Sequence, residues 1–380
     1  MNHINKISIF KPSILASKPY RGGVSRSEIK QKPSVERLYK MSSNENMLGP
    51  SPKALAAIQR NLATLNEYNF HDDDPFREAL AAAFNHQLNA DQFITANSGM
   101  EILDLITRGF LDTDLEVIIS TPTFGAYKNF TNINGAKIID IQLVGENFEL
   151  DVEGILSAVN EKTRLIFITN PNNPTGGFIP KERTDTLIYS LPPHVVVVYD
   201  EVYYHYVESK NYARAADYIA EGRNVIGIHS FSKSYGLAGI RLGYAFSTPE
   251  IAAYLNLMRR PFMINTLTME AGIAALKDTA HIAATQALNK AGKQWIYEQF
   301  DALNIRYWRS EANFILFKSP CENAVFTDKM LENGVMIRPC ELFDLPNFAR
   351  VTVGSMAANR AFIAAFKATI KEVELMMEMV

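Results

Sequence analysis

The chain has 380 residues, of which 47% are hydrophobic and 21% are charged, and its formal net charge is −3. These values are typical of a globular protein and exclude a long disordered tail. The near-neutral charge gives no basic excess for nucleic acid or an anionic membrane surface, so we expect neither as a partner. The length favours two domains over a single hydrophobic core.

Few features of the sequence indicate a metal, a disulfide or a membrane. The two cysteines, Cys321 and Cys340, are too few for a disulfide framework, and their spacing fits no zinc motif. His71 and the aspartates after it are expected to form a turn and a helix start rather than a metal site. Without an 18-residue apolar run or a signal-peptide core, the protein is expected to be cytoplasmic.

The first two thirds of the sequence predict an α/β arrangement. Asp74 and Pro75 are typical of an N-cap followed by proline, which predicts a helix through Phe84. Short β-branched runs then alternate with helical patterns such as Val152–Val159. The predicted strands are Glu116–Ser120, Lys137–Leu143, Arg164–Thr169, Val195–Asp200, Asn224–Ser230 and Leu242–Ser247. Continuous apolar strands alternating with helices indicate a mostly parallel sheet covered on both faces.

The pattern changes after about residue 260. Helical stretches at 270–277 and 285–303 precede two predicted strands at 313–317 and 349–354. This change predicts a smaller α+β domain. We therefore expect an N-terminal segment, 1–45, that packs with the small domain, a large domain, 46–260, and a small C-terminal domain, 261–380.

Polar segments follow several predicted strands, where open parallel sheets bind their ligands. They are 96–101 (ANSGME), 170–177 (NPNNPTGG), 200–203 (DEVY) and 230–241 (SFSKSYGLAGIR). Asp200 ends an apolar strand, where a carboxylate is expected to be partly buried and to need a partner. It is either a helix cap or the counter-charge of a protonated cofactor ring.

Lys233 lies among hydroxyls and glycines directly after a strand. Such surroundings suit phosphate binding, and Arg241 adds a forked donor for the same group. A lysine amine also forms Schiff bases with aldehydes. Asn173, held extended before Pro174, can aim its amide at a ligand. The glycine-rich segment is neither a Walker A motif nor a dinucleotide fingerprint.

These motifs together resemble a known family. Ser-x-Ser-Lys followed by Gly-x-x-Gly-x-Arg, Asn-Pro-Thr-Gly and Asp-x-x-Tyr have the order and spacing of fold type I aminotransferases, which depend on pyridoxal phosphate (PLP). Segments 18–22, 43–53, 310–317 and 345–354 are similar to the histidinol-phosphate aminotransferase family. The resemblance covers roughly residues 18–365. It implies an α/β fold whose large domain, with a mostly parallel sheet, binds PLP beside a smaller α+β domain.

The resemblance implies a role for each motif residue. Lys233 would carry PLP as a Schiff base and later move a proton, and Asp200 would pair with the pyridine nitrogen. Asn173 and Tyr203 would bond the ring's 3′ oxygen, and Phe124 would stack on the ring. The residues expected to hold the phosphate are Ser230, Ser232, Arg241 and the backbone of Gly99 and Met100.

Further matches concern the substrate and the assembly. Tyr68 corresponds to a tyrosine that reaches the cofactor phosphate from the partner subunit, which implies a homodimer with shared active sites. Arg350 corresponds to the arginine that binds the substrate carboxylate, or the substrate phosphate in the histidinol-phosphate enzymes. Tyr20 and Arg338 correspond to residues near that phosphate, and Asn44 lies in a segment that lines the substrate pocket.

Two positions depart from the family pattern, and several reactions stay open. Met100 replaces an acidic residue beside the phosphate loop, and Met47 replaces a proline. The expected reaction moves an amino group from histidinol phosphate, or from an aromatic or other amino acid, to a 2-oxo acid. A PLP decarboxylase or lyase on the same fold is the alternative. A PLP-sensing regulator would need a DNA-binding domain, for which the residues before the first motifs are too few.

Overall fold

The computed structural model describes residues 11–17, 37–69 and 72–378. Its helices are α1 (Pro12–Ala16), α2 (Pro52–Arg60), α3 (Asp74–Ala83), α4 (Gly99–Phe110), α5 (Ala126–Asn134), α6 (Val152–Ala158), α7 (Lys181–Ser190), α8 (Ala215–Ala220), α9 (Pro249–Asn256), α10 (Thr266–Leu276), α11 (Thr279–Ala302), α12 (Asn323–Glu332) and α13 (Met356–Glu378). In this part of the chain, no helix combines the length and apolarity needed to cross a bilayer.

The strands form three sheets among the described residues. They are β1 (Tyr39–Lys40), β2 (Phe93–Ala96), β3 (Glu116–Thr121), β4 (Lys137–Gln142), β5 (Thr163–Thr169), β6 (Val196–Asp200), β7 (Val225–Ser230), β8 (Gly243–Phe246), β9 (Phe314–Lys318), β10 (Val335–Met336), β11 (Arg338–Pro339) and β12 (Phe348–Thr352). The largest sheet has the order β2-β8-β7-β6-β5-β3-β4.

This seven-stranded sheet confirms the predicted α/β fold. Strands β3 to β7 pair in parallel, and β8 runs antiparallel to both β7 and β2. Alternate residues of each inner strand enter different hydrophobic clusters: Val197 and Tyr199 pack on one side, Val196 and Val198 on the other. Helices therefore cover both faces, as continuous apolar strands require.

A second cluster of elements lies toward the C-terminal end. The antiparallel sheet β11-β12-β9 packs with α11, α12 and α13 around Phe300, Phe317, Phe362 and Phe366. Strand β1 pairs in parallel with β10, and the buried Met41 joins the same hydrophobic cluster. The proposed domain boundaries near residues 45 and 260 stay predictions.

The start of helix α3 differs from its prediction by one residue. The N-cap is Asp73, because its backbone carbonyl accepts from the N–H groups of Phe76 and Arg77 at 3.0 and 2.9 Å. Its carboxylate is not used as a cap, since it accepts from the Thr95 hydroxyl and lies 3.1 Å from Arg259. Burial against these partners outweighs the local capping preference.

Glycine is required where β8 passes the start of α4. A Cβ built on Gly243 would lie 2.5 Å from the backbone nitrogen of Gly99 and 2.6 Å from the carbonyl carbon of Ser98. The strand therefore packs directly on the first turn of the helix. The Gly99 and Met100 N–H groups begin this turn and have no partner within the helix, which makes the helix start suitable for binding an anion.

Candidate active site

A cavity of about 330 Å³ lies where three parallel strands end. Thr169, Asp200 and Ser230, the last residues of β5, β6 and β7, line it together with residues of the small sheet. Thirteen residues predicted from the sequence line this one cavity: Asn44, Gly99, Met100, Phe124, Asn173, Asp200, Tyr203, Ser230, Ser232, Lys233, Arg241, Arg338 and Arg350. The fold therefore brings together motifs that lie up to 306 positions apart in the chain.

Lys233 directs its amine into this cavity. Its Nζ donates a hydrogen bond to the carbonyl oxygen of Ser43 at 3.0 Å. Removal from water, and next the nearby Arg350 guanidinium, lower the pKa of Lys233 to about 8. A substantial fraction of the amine is thus neutral near pH 7 to 8, and the neutral amine is the form that attacks an aldehyde.

Asp200 supplies a buried carboxyl group to the same cavity. Burial raises the pKa of Asp200 to about 6, although two hydrogen bonds oppose this rise. The Tyr127 hydroxyl donates to Oδ2 at 2.7 Å, and the Val202 backbone N–H donates to Oδ1 at 3.1 Å. A buried carboxylate of this kind is strongly stabilised by a cationic partner, as a protonated ring nitrogen would be.

Tyr127 is a site residue that the sequence analysis missed. It is fully buried in α5, and its hydroxyl lies 2.8 Å from the Thr169 hydroxyl as well as beside Asp200. Burial and the Asp200 charge raise the pKa of Tyr127 well above its ordinary value, so it remains a donor. Phe124 lies just before the N-cap of α5, so no helical spacing in the sequence indicated that Tyr127 joins it at the site. The centroids of the two rings lie 5.6 Å apart.

Hydroxyls and a guanidinium gather beside the start of α4. Ser230, Ser232 and Arg241 line the cavity together with Gly99 and Met100 of the first helical turn. Arg241 has a φ of 60° and donates to the carbonyl of Ala238 at 2.8 Å, which anchors the turn. This donor set fits a phosphate group. Met100 adds no polar side-chain atom where the family has an acidic residue.

Two arginines occupy the side of the cavity formed by the small sheet. Arg350 is 5% exposed, donates to the Ser42 carbonyl at 2.9 Å and bonds the Asn173 amide oxygen. Arg338 is its direct cross-strand partner in the β11–β12 pair. The two guanidinium groups lie 6.0 and 5.8 Å from the centroid of the same ring, Phe343.

Tyr68, a predicted site residue, is not among the residues that line this cavity. Tyr68 is 71% exposed, and its ring lies 5.1 Å from that of Phe262. Tyr20 lies outside the described residues. Asn44 does line the cavity, and its amide contacts Tyr203, with the nitrogen 3.0 Å from the hydroxyl oxygen.

Comparisons with known proteins show the family of the chain. The sequence profile of the family described as "Aminotransferase class I and II" matches residues 36–366. The chain belongs to this family. It is 36% identical over 358 residues to the histidinol-phosphate aminotransferase of Moorella thermoacetica, covering 94% of this chain and 92% of that protein. It is 36% identical over 366 residues to that of Symbiobacterium thermophilum, covering 96% and 100%.

Solved structures share the fold. The histidinol-phosphate aminotransferase from Clostridium acetobutylicum superposes with a TM-score of 0.80 at 25% identity, covering 88% of this chain and 100% of that one. The enzyme of that name from Sinorhizobium meliloti, solved with pyridoxal-5′-phosphate, gives 0.86 at 23% identity over 97% and 99%. The protein is therefore an aminotransferase, and the cofactor of its family is PLP. The buried amine, the buried carboxylate and the phosphate-type donors of the cavity fit that group.

Replacing Asp200 with asparagine is expected to change how the stability of the cofactor-free chain depends on pH. The carboxyl has its ordinary pKa of 3.8 when the chain is unfolded, and burial raises that pKa to about 6 in the folded chain. Its contribution to stability is therefore full below the unfolded value and is lost as pH rises through the folded value. The stability of the wild type relative to Asp200→Asn should fall by roughly 2–3 kcal/mol between pH 4 and pH 7.

Urea unfolding of both chains at several pH values measures this difference. Asp328→Asn, which removes an exposed carboxyl from α12, is the matched control. A difference between wild type and Asp200→Asn that stays constant from pH 4 to pH 7 would show that Asp200 is not desolvated as the structure indicates.

Proposed function

We propose that this aminotransferase takes its amino group from histidinol phosphate and passes it to a 2-oxo acid. The supporting observation is the cross-strand pair Arg338 and Arg350 at the cavity. Like charges directly opposite each other destabilise a sheet, so an anion bound between them is stabilising. The phosphate is the only anionic group of histidinol phosphate, and its oxygens can accept from two guanidinium groups. The names of the relatives support the same substrate.

Lys233 has two tasks in the proposed reaction. PLP, when bound, supplies an electron sink for the negative charge that develops at the substrate α-carbon. The Lys233 amine, with its pKa lowered to about 8, would hold the cofactor by condensing with its aldehyde with loss of water. Once the amino donor has taken its place, the released Lys233 amine would accept the proton from the substrate α-carbon and donate it to the cofactor carbon that carried the aldehyde. The Ser43 carbonyl at 3.0 Å holds the amine at this position.

The other cavity residues orient and charge the cofactor in this proposal. Asp200, fixed by the Tyr127 hydroxyl, keeps the ring nitrogen protonated. Asn173 and Tyr203 bond the ring oxygen, and Phe124 covers a ring face. The groups proposed to hold the cofactor phosphate are Ser230, Ser232, Arg241 and the backbone of Gly99 and Met100.

We further propose a cytoplasmic homodimer in which Tyr68 completes the partner's site. Tyr68 and Phe262 are 71% and 44% exposed although their rings are in contact. Leu65 and Leu257, which are 60% and 85% exposed, precede them by a few residues. Exposed apolar side chains of this number support an interface between subunits. Both cysteines are free, which suits a reducing compartment.

Arg338→Gln tests the substrate. The variant removes one charged donor to the phosphate, so kcat/KM for histidinol phosphate should fall by about 10–100-fold. Phenylalanine has a carboxylate but no phosphate, and its kcat/KM should change by less than about 3-fold, since Arg350 suffices for a carboxylate.

Arg306→Gln is the matched control, because Arg306 pairs with Glu146 on the surface at 3.0 Å. It should leave both substrates unaffected. Equal losses on both substrates in Arg338→Gln would contradict a dedicated phosphate subsite. If wild type does not turn over histidinol phosphate but does turn over phenylalanine, the donor is instead an aromatic amino acid.

Subunit mixing tests the shared site. Lys233→Ala and Tyr68→Ala chains are each expected to be strongly impaired. In a hybrid two-fold dimer, one of the two sites receives an intact Lys233 and an intact Tyr68. Unfolding and refolding the two chains together should therefore restore up to about a quarter of wild-type activity, because half of the dimers are hybrids with one good site. No restoration, once hybrids are verified by differently tagged chains, would contradict a site shared between subunits.

A further inference from the structure

The residues from Met41 to Asn44, called here the 41–44 segment, form hydrogen bonds at the cavity with both the small sheet β11-β12-β9 and the loops that follow β6 and β7. Each of its four carbonyl oxygens accepts a hydrogen bond from a different donor outside the segment. The donors, in order, are Thr352 N at 2.8 Å, the Arg350 guanidinium at 2.9 Å, Lys233 Nζ at 3.0 Å and the Asn313 amide at 3.0 Å. These four hydrogen bonds fix the position of the segment's backbone.

Within this segment, Asn44 forms a directed set of hydrogen bonds. It is 1% exposed and has a φ of 57°. Its backbone N–H donates to the Thr352 hydroxyl oxygen at 2.9 Å, and that hydroxyl donates to Asn44 Oδ1 at 3.2 Å. The amide oxygen therefore faces Thr352, and the amide nitrogen faces Tyr203, donating to its hydroxyl oxygen at 3.0 Å.

This direction determines what the Tyr203 hydroxyl can do. Since its oxygen accepts from Asn44, the hydroxyl hydrogen can donate only to an acceptor other than Asn44, and Tyr203 is one of the residues that line the cavity. The Tyr203 ring is 5% exposed and packs edge-on against Phe314 with centroids 5.2 Å apart, which restricts the ring to this position.

We propose that Thr352 and Asn44 are positioning residues that make Tyr203 a hydrogen-bond donor to the ring oxygen of the cofactor. The inference rests on the proposed role of Tyr203. It also assigns Asn44 to Tyr203 instead of to the substrate, because both polar atoms of its amide are bonded to protein groups. Thr352 lies two residues from Arg350 on β12, so one strand carries both the substrate arginine and the start of this relay.

The relay has a spectroscopic consequence. A hydrogen-bond donor to the ring oxygen of the cofactor stabilises negative charge on that oxygen. Without the donor, this negative charge binds the proton on the nitrogen that joins Lys233 to the cofactor more tightly. The midpoint of the pH-dependent visible spectrum of the PLP-loaded enzyme therefore rises when the donor is lost. A charge-assisted hydrogen bond corresponds to about one to two pH units, so Tyr203→Phe should raise the midpoint by that amount.

Thr352→Val and Thr352→Ser form the decisive pair. Valine keeps the size but removes the hydroxyl, so the Asn44 amide loses the contact that fixes its direction, and the midpoint should rise by about half a unit or more. Serine keeps the hydroxyl and should keep the wild-type midpoint. Asn44→Ala removes the amide while leaving the backbone, and it should raise the midpoint as well. The double variant Thr352→Val/Tyr203→Phe should shift no further than Tyr203→Phe alone.

The outcomes separate this inference from the function it rests on. Unchanged midpoints in both Thr352→Val and Asn44→Ala would overturn it, as would additive shifts in the double variant or equal shifts with valine and serine. Thermal unfolding of the cofactor-free variants identifies any that fail to fold, and the remaining variants decide. A wild-type chain that develops no visible band with PLP would overturn the proposed function instead.

Discussion

The site depends on a lysine amine held out of water and near other cations. The Lys233 Nζ donates a hydrogen bond to the Ser43 carbonyl, and the Arg350 guanidinium adds positive charge nearby. These surroundings disfavour the ammonium form, whereas burial of Asp200 disfavours its carboxylate. The two groups thus have pKa values of about 8 and about 6, much closer to neutrality than free side chains. A cofactor that bonds to the amine and presents a cation to the carboxylate relieves both costs at once.

The two sheets and the segment between them hold these groups at fixed positions around the cavity. The parallel strands β5, β6 and β7 end together, which places Asp200 and Ser230 on one edge of the sheet. The small sheet supplies Arg338 and Arg350 from the other side. The 41–44 segment forms hydrogen bonds with both parts, so the Lys233 amine, Arg350 and the proposed Tyr203 relay share one backbone support. A shift of the small sheet would therefore also displace the Ser43 carbonyl that accepts from the Lys233 amine.

Much of this arrangement could be predicted because its signals are local. Apolar β-branched runs predicted strands such as β5 and β6 to within one residue. Asp200 is the last residue of β6, and Lys233 follows the end of β7 by three residues. Strand β2, with four residues, was too short for its pattern to stand out. Helix α11 begins six residues before its predicted start, because Asp278 accepts from the His281 N–H as a side-chain cap.

Other features depend on contacts that no local pattern contains. Tyr127 reaches Asp200 across 73 positions, and Thr352 reaches Asn44 across 308. Each bond depends on tertiary packing, of Tyr127 in α5 against the end of β6 and of the 41–44 segment against β12. The direction of the Asn44 amide follows from these partners rather than from its neighbours in the chain. Tyr68 is predicted to act in the active site of a second subunit, and the structure of one chain does not contain that contact.

Chemical trapping of the cofactor tests the central claim, that Lys233 is the amine the fold has prepared for PLP. The loaded enzyme is reduced with borohydride, digested, and its pyridoxyl-bearing peptide is identified by mass spectrometry. Lys40 is the natural comparison, since it lies near enough to influence Lys233 but is paired with Glu45 at 2.8 Å. A pyridoxyl group on Lys233 alone, and none on a Lys233→Ala chain, is the predicted result. Stoichiometric labelling of Lys40 or any other lysine would contradict the account.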